Sequence, residues 1–365
     1  QKGIQTYIKT FAGRNADWNE LVEILDQETG EDLKSWSEVW VNQSSRPVFS
    51  EKIEYGLNNT ISSLSISQTA EDGSGKIWPQ QFTIQLIYDQ EIKEILVKVE
   101  GRETQISEVN GLPKPNFILF NGNGMGYGVF PLDSIGLERI PDLEDEVARA
   151  SAYLNLYENT LTGRVKPLAN LSILRDGLDS EQNEILIQLM SNQLNSLFWD
   201  FLKEETRNRI ADDLEDQIWD LMQRNLASNV KKTLFNLYSS IAFWSRGKDR
   251  LYQVWAKRLI IPGLNLNPDN YTSLAMNLAL FGHQKSEEIL AQERTQLQNK
   301  DRLDRFDFLR PSLSANEQTR DSVFLSFAEP ENREKESWVL SACRYIHHPL
   351  RQQQSVKHLE LALEL

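Results

Sequence analysis

The sequence predicts a multidomain fold: an antiparallel β-sandwich followed by an all-α helical array of paired antiparallel helices, solenoid-like, with a short helical segment in front. Three observations carry this. Residues 46–135 hold runs in which apolar and polar residues alternate, residues 136–365 place apolar residues at helical spacing, and Pro115–Asp133 (PNFILFNGNGMGYGVFPLD) marks the change between the two patterns. At 365 residues the chain exceeds one ordinary core, and the expected divisions are 1–45, 46–135 and 136–365.

Residues 4–12 set Ile4, Tyr7, Ile8 and Phe11 on one helical face, and Gly13 ends that helix. Asp17 with Glu20 three residues on forms a capping-box pair for a second helix striped by Trp18, Leu21, Val22 and Leu25 and closed by Gly30. A third helix from about Asp32 carries Leu33, Trp36, Val39 and Trp40. Three short helices with such bulky faces cannot bury them alone, so they read as a small helical domain or as the tail of a larger one, and an exposed apolar patch of Tyr7, Phe11, Trp36 and Trp40 would support the latter. The chain opens on Gln1 inside a helical pattern, which reads as a fragment whose upstream domain and true N-terminus are missing.

Strand patterns follow at Val48–Tyr55, Ile61–Ile66, Phe82–Tyr88 and Ile92–Val99, separated by Asp72–Gly73, Ser74–Gly75 and Asn110–Gly111 turns. About seven short strands at this spacing suggest a sandwich. Trp78 and Tyr88 suit core or interdomain packing, with a binding platform as the alternative. Within Pro115–Asp133, Phe117–Phe120 and Tyr127–Leu132 read as a hairpin around glycines 122, 124, 126 and 128. A nucleotide loop is disfavoured, because three residues after Gly124 stands Tyr127 and a strand follows where a helix should open.

Beyond residue 136 the period is 3.6. Val230, Leu234, Leu237, Ile241 and Trp244 form one stripe, Leu186, Met190, Leu194, Leu197 and Phe201 another, and Leu214, Ile218 and Leu221 a third. Expected caps are Asp179 with Gln182, Asn267 before Pro268, and Ser314 with Glu317. Later helices are expected at 268–281, 284–298, 314–327, 332–346 and 350–364. Short connections favour stacked pairs, without a fixed-period repeat.

Composition narrows the function classes. Fifty-three acidic against 39 basic residues leave a net charge of −14, which disfavours nucleic acid and anionic membranes as partners. No apolar run approaches the roughly 18–20 residues of a membrane span. Cys343 is the single cysteine, so no internal disulfide forms, and a cytoplasmic or periplasmic setting both fit.

No catalytic constellation stands out. HExxH is absent; of the four histidines, His347 and His348 are neighbours that would point about 100° apart on a helix, and His283 follows Gly282 at a helix end. There is no G-x-S-x-G elbow, Cys343 sits among apolar helical neighbours, and Asp212, Asp213, Glu215 and Asp216 read as a solvated helix face. The expected catalytic and metal residues of this chain are therefore none.

The order NADWNELVEILDQETGEDLKSWSEVWVNQSSRPVF resembles the end of the catalytic domain in aminopeptidase N-like zinc metallopeptidases, with Asn15, Gly30, Asp32, Leu33, Trp40, Gln43 and Pro47 on matching positions. Ser44–Ser45–Arg46 departs from the glycine usual there, and GVFPL departs from the family's Tyr-Arg-Val-x-Tyr core, although Gly126, Tyr127, Val129 and Asp133 remain. The tail ENREKESWVLSACRYIHHPLRQQQ is similar to bacterial members. The resemblance implies a parent enzyme that removes N-terminal residues from peptides with a zinc held upstream of this chain, whose partners would be that catalytic domain and peptide substrates. It also implies a curved helical domain roofing the substrate chamber, where Arg344, His347, His348 and Arg351, clustered near one helix–helix turn, are the candidates for contact with peptide. The alternative is a free-standing sandwich-plus-helix scaffold that binds other proteins.

Overall fold

A computed structural model describes residues 1–133, 136–224 and 226–364. The chain divides into two compact units, Gln1–Lys166 and Pro167–Leu365; the boundary expected at residue 135 lies outside the described residues.

The first unit begins with α1 (Lys2–Thr10), α2 (Trp18–Thr29) and α3 (Leu33–Trp40), packed in order. The capping box forms as the spacing predicts: Asp17 Oδ1 accepts the Glu20 N–H at 2.9 Å, and Glu20 Oε2 accepts the Asp17 N–H at 2.9 Å. Gly30, at φ 70°, closes α2 in the left-handed conformation. Exposed apolar side chains remain on these helices, among them Ile8 at 61% and Trp36 at 46%, while Tyr7, Phe11 and Trp40 are half-buried. Trp40 leans on Tyr127, with ring centroids 5.9 Å apart.

Six strands follow among the described residues: β1 (Pro47–Tyr55), β2 (Ile61–Ala70), β3 (Gln80–Ile87), β4 (Ile92–Val99), β5 (Glu103–Gln105) and β6 (Phe117–Leu119). They form two antiparallel three-stranded sheets, in the orders β1-β2-β5 and β4-β3-β6. The alternation of apolar residues sends Ile61, Leu64 and Ile66 of the first sheet and Phe82, Ile84 and Leu86 of the second into one hydrophobic cluster. Its centre is aromatic: Phe130 stacks on Phe49 with centroids 4.7 Å apart and meets Phe82 edge-on at 4.8 Å. Trp78 is buried in this module, as a core residue should be.

Tyr127–Leu132 departs from the expected hairpin. It makes isolated bridges, parallel to β1 at Val48–Val129 and antiparallel to β6 at Leu119–Leu132. Gly128 takes φ 132°, and its Cα lies so close to Pro47 that a side chain would collide with the Pro47 carbonyl. Pro131 offers no N–H to a ladder. The segment therefore crosses to the first sheet, where the Phe49 N–H donates to Val129 O at 2.8 Å and the Val129 N–H to Pro47 O at 3.0 Å.

Helix α4 (Glu146–Leu161) completes the first unit. Ser151, Asn155 and Asn159 recur every four residues on one face and donate to the carbonyls of Asn121 (2.6 Å), Phe120 (3.0 Å) and Phe130 (2.9 Å). A polar stripe thus satisfies strand-end carbonyls that no neighbouring strand reaches.

The second unit is helical: α5 (Pro167–Ser180), α6 (Glu184–Ser196), α7 (Glu204–Gln223), α8 (Ser228–Ile241), α9 (Ser245–Trp255), α10 (Pro268–Leu280), α11 (Ser286–Gln296), α12 (Lys300–Leu309), α13 (Glu317–Ser326), α14 (Glu336–Ile346), α15 (Gln352–Ser355) and α16 (Leu359–Glu364). Helix α8 packs on both α6 and α7, and α10 on both α9 and α11. The three predicted stripes are buried except at Phe201 and Trp244, the last members of two of them, which are exposed. Asn267 and Pro268 start α10 as predicted, in a capping box with Asn270. Two caps differ. Asn183, not Asp179, caps α6 through the N–H groups of Ile185 and Leu186, and Asn316, not Ser314, caps α13. Asp179 stays within α5 and pairs with Arg224 at 2.6 Å. The helix expected over 350–364 is broken into α15, α16 and 3₁₀ turns at Pro349–Arg351 and Val356–His358.

No helix among the described residues is long and apolar enough to cross a membrane.

Candidate functional site

The four residues singled out by the sequence meet at the exit of α14. That helix ends at His347; His348 turns extended at ψ 142°, and Pro349, with fixed φ and no N–H, opens a 3₁₀ turn over Pro349–Arg351. Arg344 sits in the last turn of α14, where a cation complements the helix dipole, and it is exposed.

Arg344, His347 and His348 line one groove of about 720 Å³ in the second unit, together with Trp199, Asp200, Phe281 and Cys343. Arg351 does not line it. Its guanidinium is buried behind the turn and donates to Ser312 O (2.7 Å), Leu313 O (3.0 Å) and Tyr345 O (3.1 Å), tying the end of α14 to the 3₁₀ turn Arg310–Leu313. Burial, with Arg320 adding like charge, pushes the Arg351 pKa down to about 10, which leaves it cationic at neutral pH.

His348 lies edge-on to Trp199, with centroids 4.4 Å apart, and Nδ1 accepts the Leu350 N–H at 3.3 Å. Burial, reinforced by the charges of Arg351 and Arg207, pulls its pKa down to about 4. At pH 7 the ring is therefore neutral, and an accepting Nδ1 assigns the proton to Nε2. His347 is half-buried, is likewise held below the usual imidazole range by burial and by His358, and leaves Nε2 without a hydrogen-bond partner. The other two histidines lie apart from the groove: His283 stacks on Tyr252 and accepts the Lys285 N–H at 3.1 Å, and His358 meets Asp321 Oδ1 at 2.7 Å.

Trp199 and Asp200 were not singled out by the sequence. They lie in a π-helical turn, Leu197–Phe201, that interrupts the 3.6 period and buries Leu197, Phe198 and Trp199. Asp200 accepts the Ser196 hydroxyl at 2.9 Å. Burial raises the pKa of the Cys343 thiol, which keeps it protonated and a poor nucleophile. The groove thus offers a cation, a carboxylate, neutral imidazoles and aromatic walls, a set suited to holding a polar chain. Among the described residues no three His, Cys, Asp or Glu side chains gather to hold a metal ion, and the groove does not fit zinc.

Elsewhere in this unit the acidic run of α7 departs from the expected solvated face. Asp213 is exposed, but Glu215 is 2% exposed because α8 and α9 pack over it. Its Oε1 accepts the Trp244 N–H at 2.9 Å at the start of α9, and Oε2 has no hydrogen-bond partner.

No family model matches the sequence. Over 210 residues, 53% of this chain, it is 25% identical to aminopeptidase N of Streptomyces lividans. Over 152 residues, 39% of the chain, it is 27% identical to the probable M1 family aminopeptidases 1 and 2 of Encephalitozoon cuniculi (strain GB-M1). The chain is similar to M1-family aminopeptidases. The matches span 24% of the Streptomyces protein and 17% of each Encephalitozoon protein, so this chain corresponds to a minor part of each M1 relative.

Proposed function

We propose that the chain is the non-catalytic, C-terminal part of a zinc-dependent aminopeptidase, organised as a helical tail (1–45), a β-sandwich (46–135) and a solenoid-like helical domain (136–365). The observation that carries this reading is the match to aminopeptidase N over 53% of the chain but only 24% of that enzyme. In this reading the zinc and the HExxH helix belong to a preceding domain, which the apolar side chains of α1–α3 adjoin. The groove at the exit of α14 forms a wall of the substrate chamber. Arg344 attracts the carboxylate end of a peptide, His347 and His348 offer neutral hydrogen-bonding groups, and Arg351 anchors the turn that carries them.

The test compares this chain with the longer gene product in aminoacyl-anilide hydrolysis, with and without a zinc chelator. The expected result is that the chain alone is inert, the longer product active and the chelated product inert. Replacing Arg344 with alanine in the longer product should raise KM for short peptides by about tenfold with kcat little changed, the value of one charge-assisted hydrogen bond. A longer product that stays inert with zinc supplied would sink the reading and turn attention to protein partners of a scaffold.

A further inference from the structure

A second cavity in the helical unit, of about 570 Å³, has a one-sided charge. Arg320, Arg351 and Lys248 line it, and its lining includes no Asp or Glu, although the chain as a whole carries a net charge of −14. The two guanidinium groups belong to residues only 4% and 8% exposed, and neither has a carboxylate partner among the described residues. Arg320 donates to Ser314 O (2.6 Å), Ala315 O (3.0 Å) and Gln354 Oε1. Arg351 donates to its three carbonyls, and Lys248 to Phe281 O at 3.2 Å.

These partners are neutral, so they satisfy geometry and leave the charge uncompensated. A guanidinium has five N–H donors and an ammonium three. Three bonds on each arginine and one on the lysine leave two donors apiece without a protein partner. Buried cations near one another cost free energy unless an anion joins them. Burial disfavours the charge on Arg351, and the nearby Arg320 adds to that effect. Ser245 and Ser286, the first residues of α9 and α11, add hydroxyls to the lining; the first turn of α9 carries no acidic residue to offset its dipole, whereas that of α11 carries Glu287 and Glu288, which do not line the cavity.

We propose that this cavity is an anion site that takes a multiply charged oxyanion, of which inorganic phosphate is the simplest. Three cations favour a phosphate, with between about one and two negative charges near neutral pH and several acceptor oxygens, over a monocarboxylate or a halide. The site adjoins the groove at Arg344, sharing Leu280 and Phe281 with it, and it does not depend on the aminopeptidase reading, because binding is measured on the chain itself.

The experiment is a calorimetric and thermal-shift titration of the chain at pH 7 with sodium phosphate, against sodium chloride and sodium acetate at matched ionic strength. Phosphate is expected to bind in the millimolar range or tighter and to raise Tm, with no saturable effect of chloride or acetate. Lys248→Met and Arg320→Gln, each checked for native far-UV circular dichroism and an unliganded Tm near that of the parent, should weaken phosphate binding by about tenfold each. Arg351 is left intact because it holds three carbonyls of the fold. Absence of phosphate binding overturns the proposal. Unchanged affinity in both folded variants also overturns it, since phosphate would then sit elsewhere.

Discussion

At the scale of single residues, Glu215 shows how a buried carboxyl becomes a pH-sensitive element. Burial raises its pKa to about 7; Asp212 and Asp216 push the same way, while the Trp244 N–H and Arg250 oppose. The folded-state value stands above the ordinary 4.5, so the folded chain binds the extra proton. The stability this contributes is fully present below about pH 4.5 and is lost as pH rises through about 7, with a ceiling of ~3 kcal/mol at 1.36 kcal/mol per unit. Glu215→Gln cannot ionise. Its stability relative to the parent, read from urea midpoints between pH 5 and 8, should therefore increase as pH rises; a flat difference would mean that Glu215 does not titrate in this range. Gly247 belongs to the same packing, because a Cβ there would overlap the Glu215 carboxylate and crowd Ala242. Gly247→Ala should lower stability by about 1–3 kcal/mol, as overpacking does, and the urea midpoint reports it.

At the scale of elements, the sequence was most legible where periodicity and chain chemistry agree. Asp17 with Glu20, Gly30, and Asn267 with Pro268 delimit helices as their chemistry requires, and the alternation in Ile61–Ile66 and Phe82–Leu86 places those residues in the core. It was least legible where polar side chains replace backbone partners. Asn121 bonds both the N–H (2.7 Å) and the carbonyl (3.0 Å) of Gly126; Gln80 does the same for Tyr127, at 2.7 and 3.0 Å. Side-chain amides thus stand where a hairpin ladder was expected, and a pattern of apolar residues carries no trace of that substitution. The polar stripe of α4 was hidden for the same reason, since serine and asparagine at four-residue spacing read as a wet face. Asn155 and Asn159 are buried, so removing either amide strands a strand-end carbonyl. Asn155→Ala and Asn159→Ala should each cost about 1–3 kcal/mol in urea unfolding, whereas Ser172→Ala, on an exposed hydroxyl of α5, should cost well under 1 kcal/mol. Equal effects at all three positions would show that the stripe does not hold α4 to the strands.

At the scale of the whole molecule, charge and apolar exposure oppose one another. A net charge of −14 keeps copies of the chain apart by a repulsion that salt screens over about 10 Å at 0.1 M. The helices α1–α3 work against it. Ile4 and Ile8 lie one turn apart on α1 and are exposed, as are Trp18 and Trp36 on α2 and α3. Exposed aromatic and branched side chains at this density mark a surface that gains free energy by being covered. For the chain in isolation the available cover is another copy of itself. Weak self-association is therefore expected in sedimentation equilibrium, and it should strengthen as sodium chloride rises from low to moderate concentration, because screening removes the repulsion while the apolar term persists. Ile8→Lys with Trp36→Lys should abolish it at every salt concentration without loss of helicity, since both side chains are exposed in the folded chain. Association that weakens with salt, or that survives the double substitution, would assign it to charged surfaces instead. If a preceding domain covers α1–α3, as proposed above, the same two substitutions in a longer protein should disturb folding rather than improve solubility.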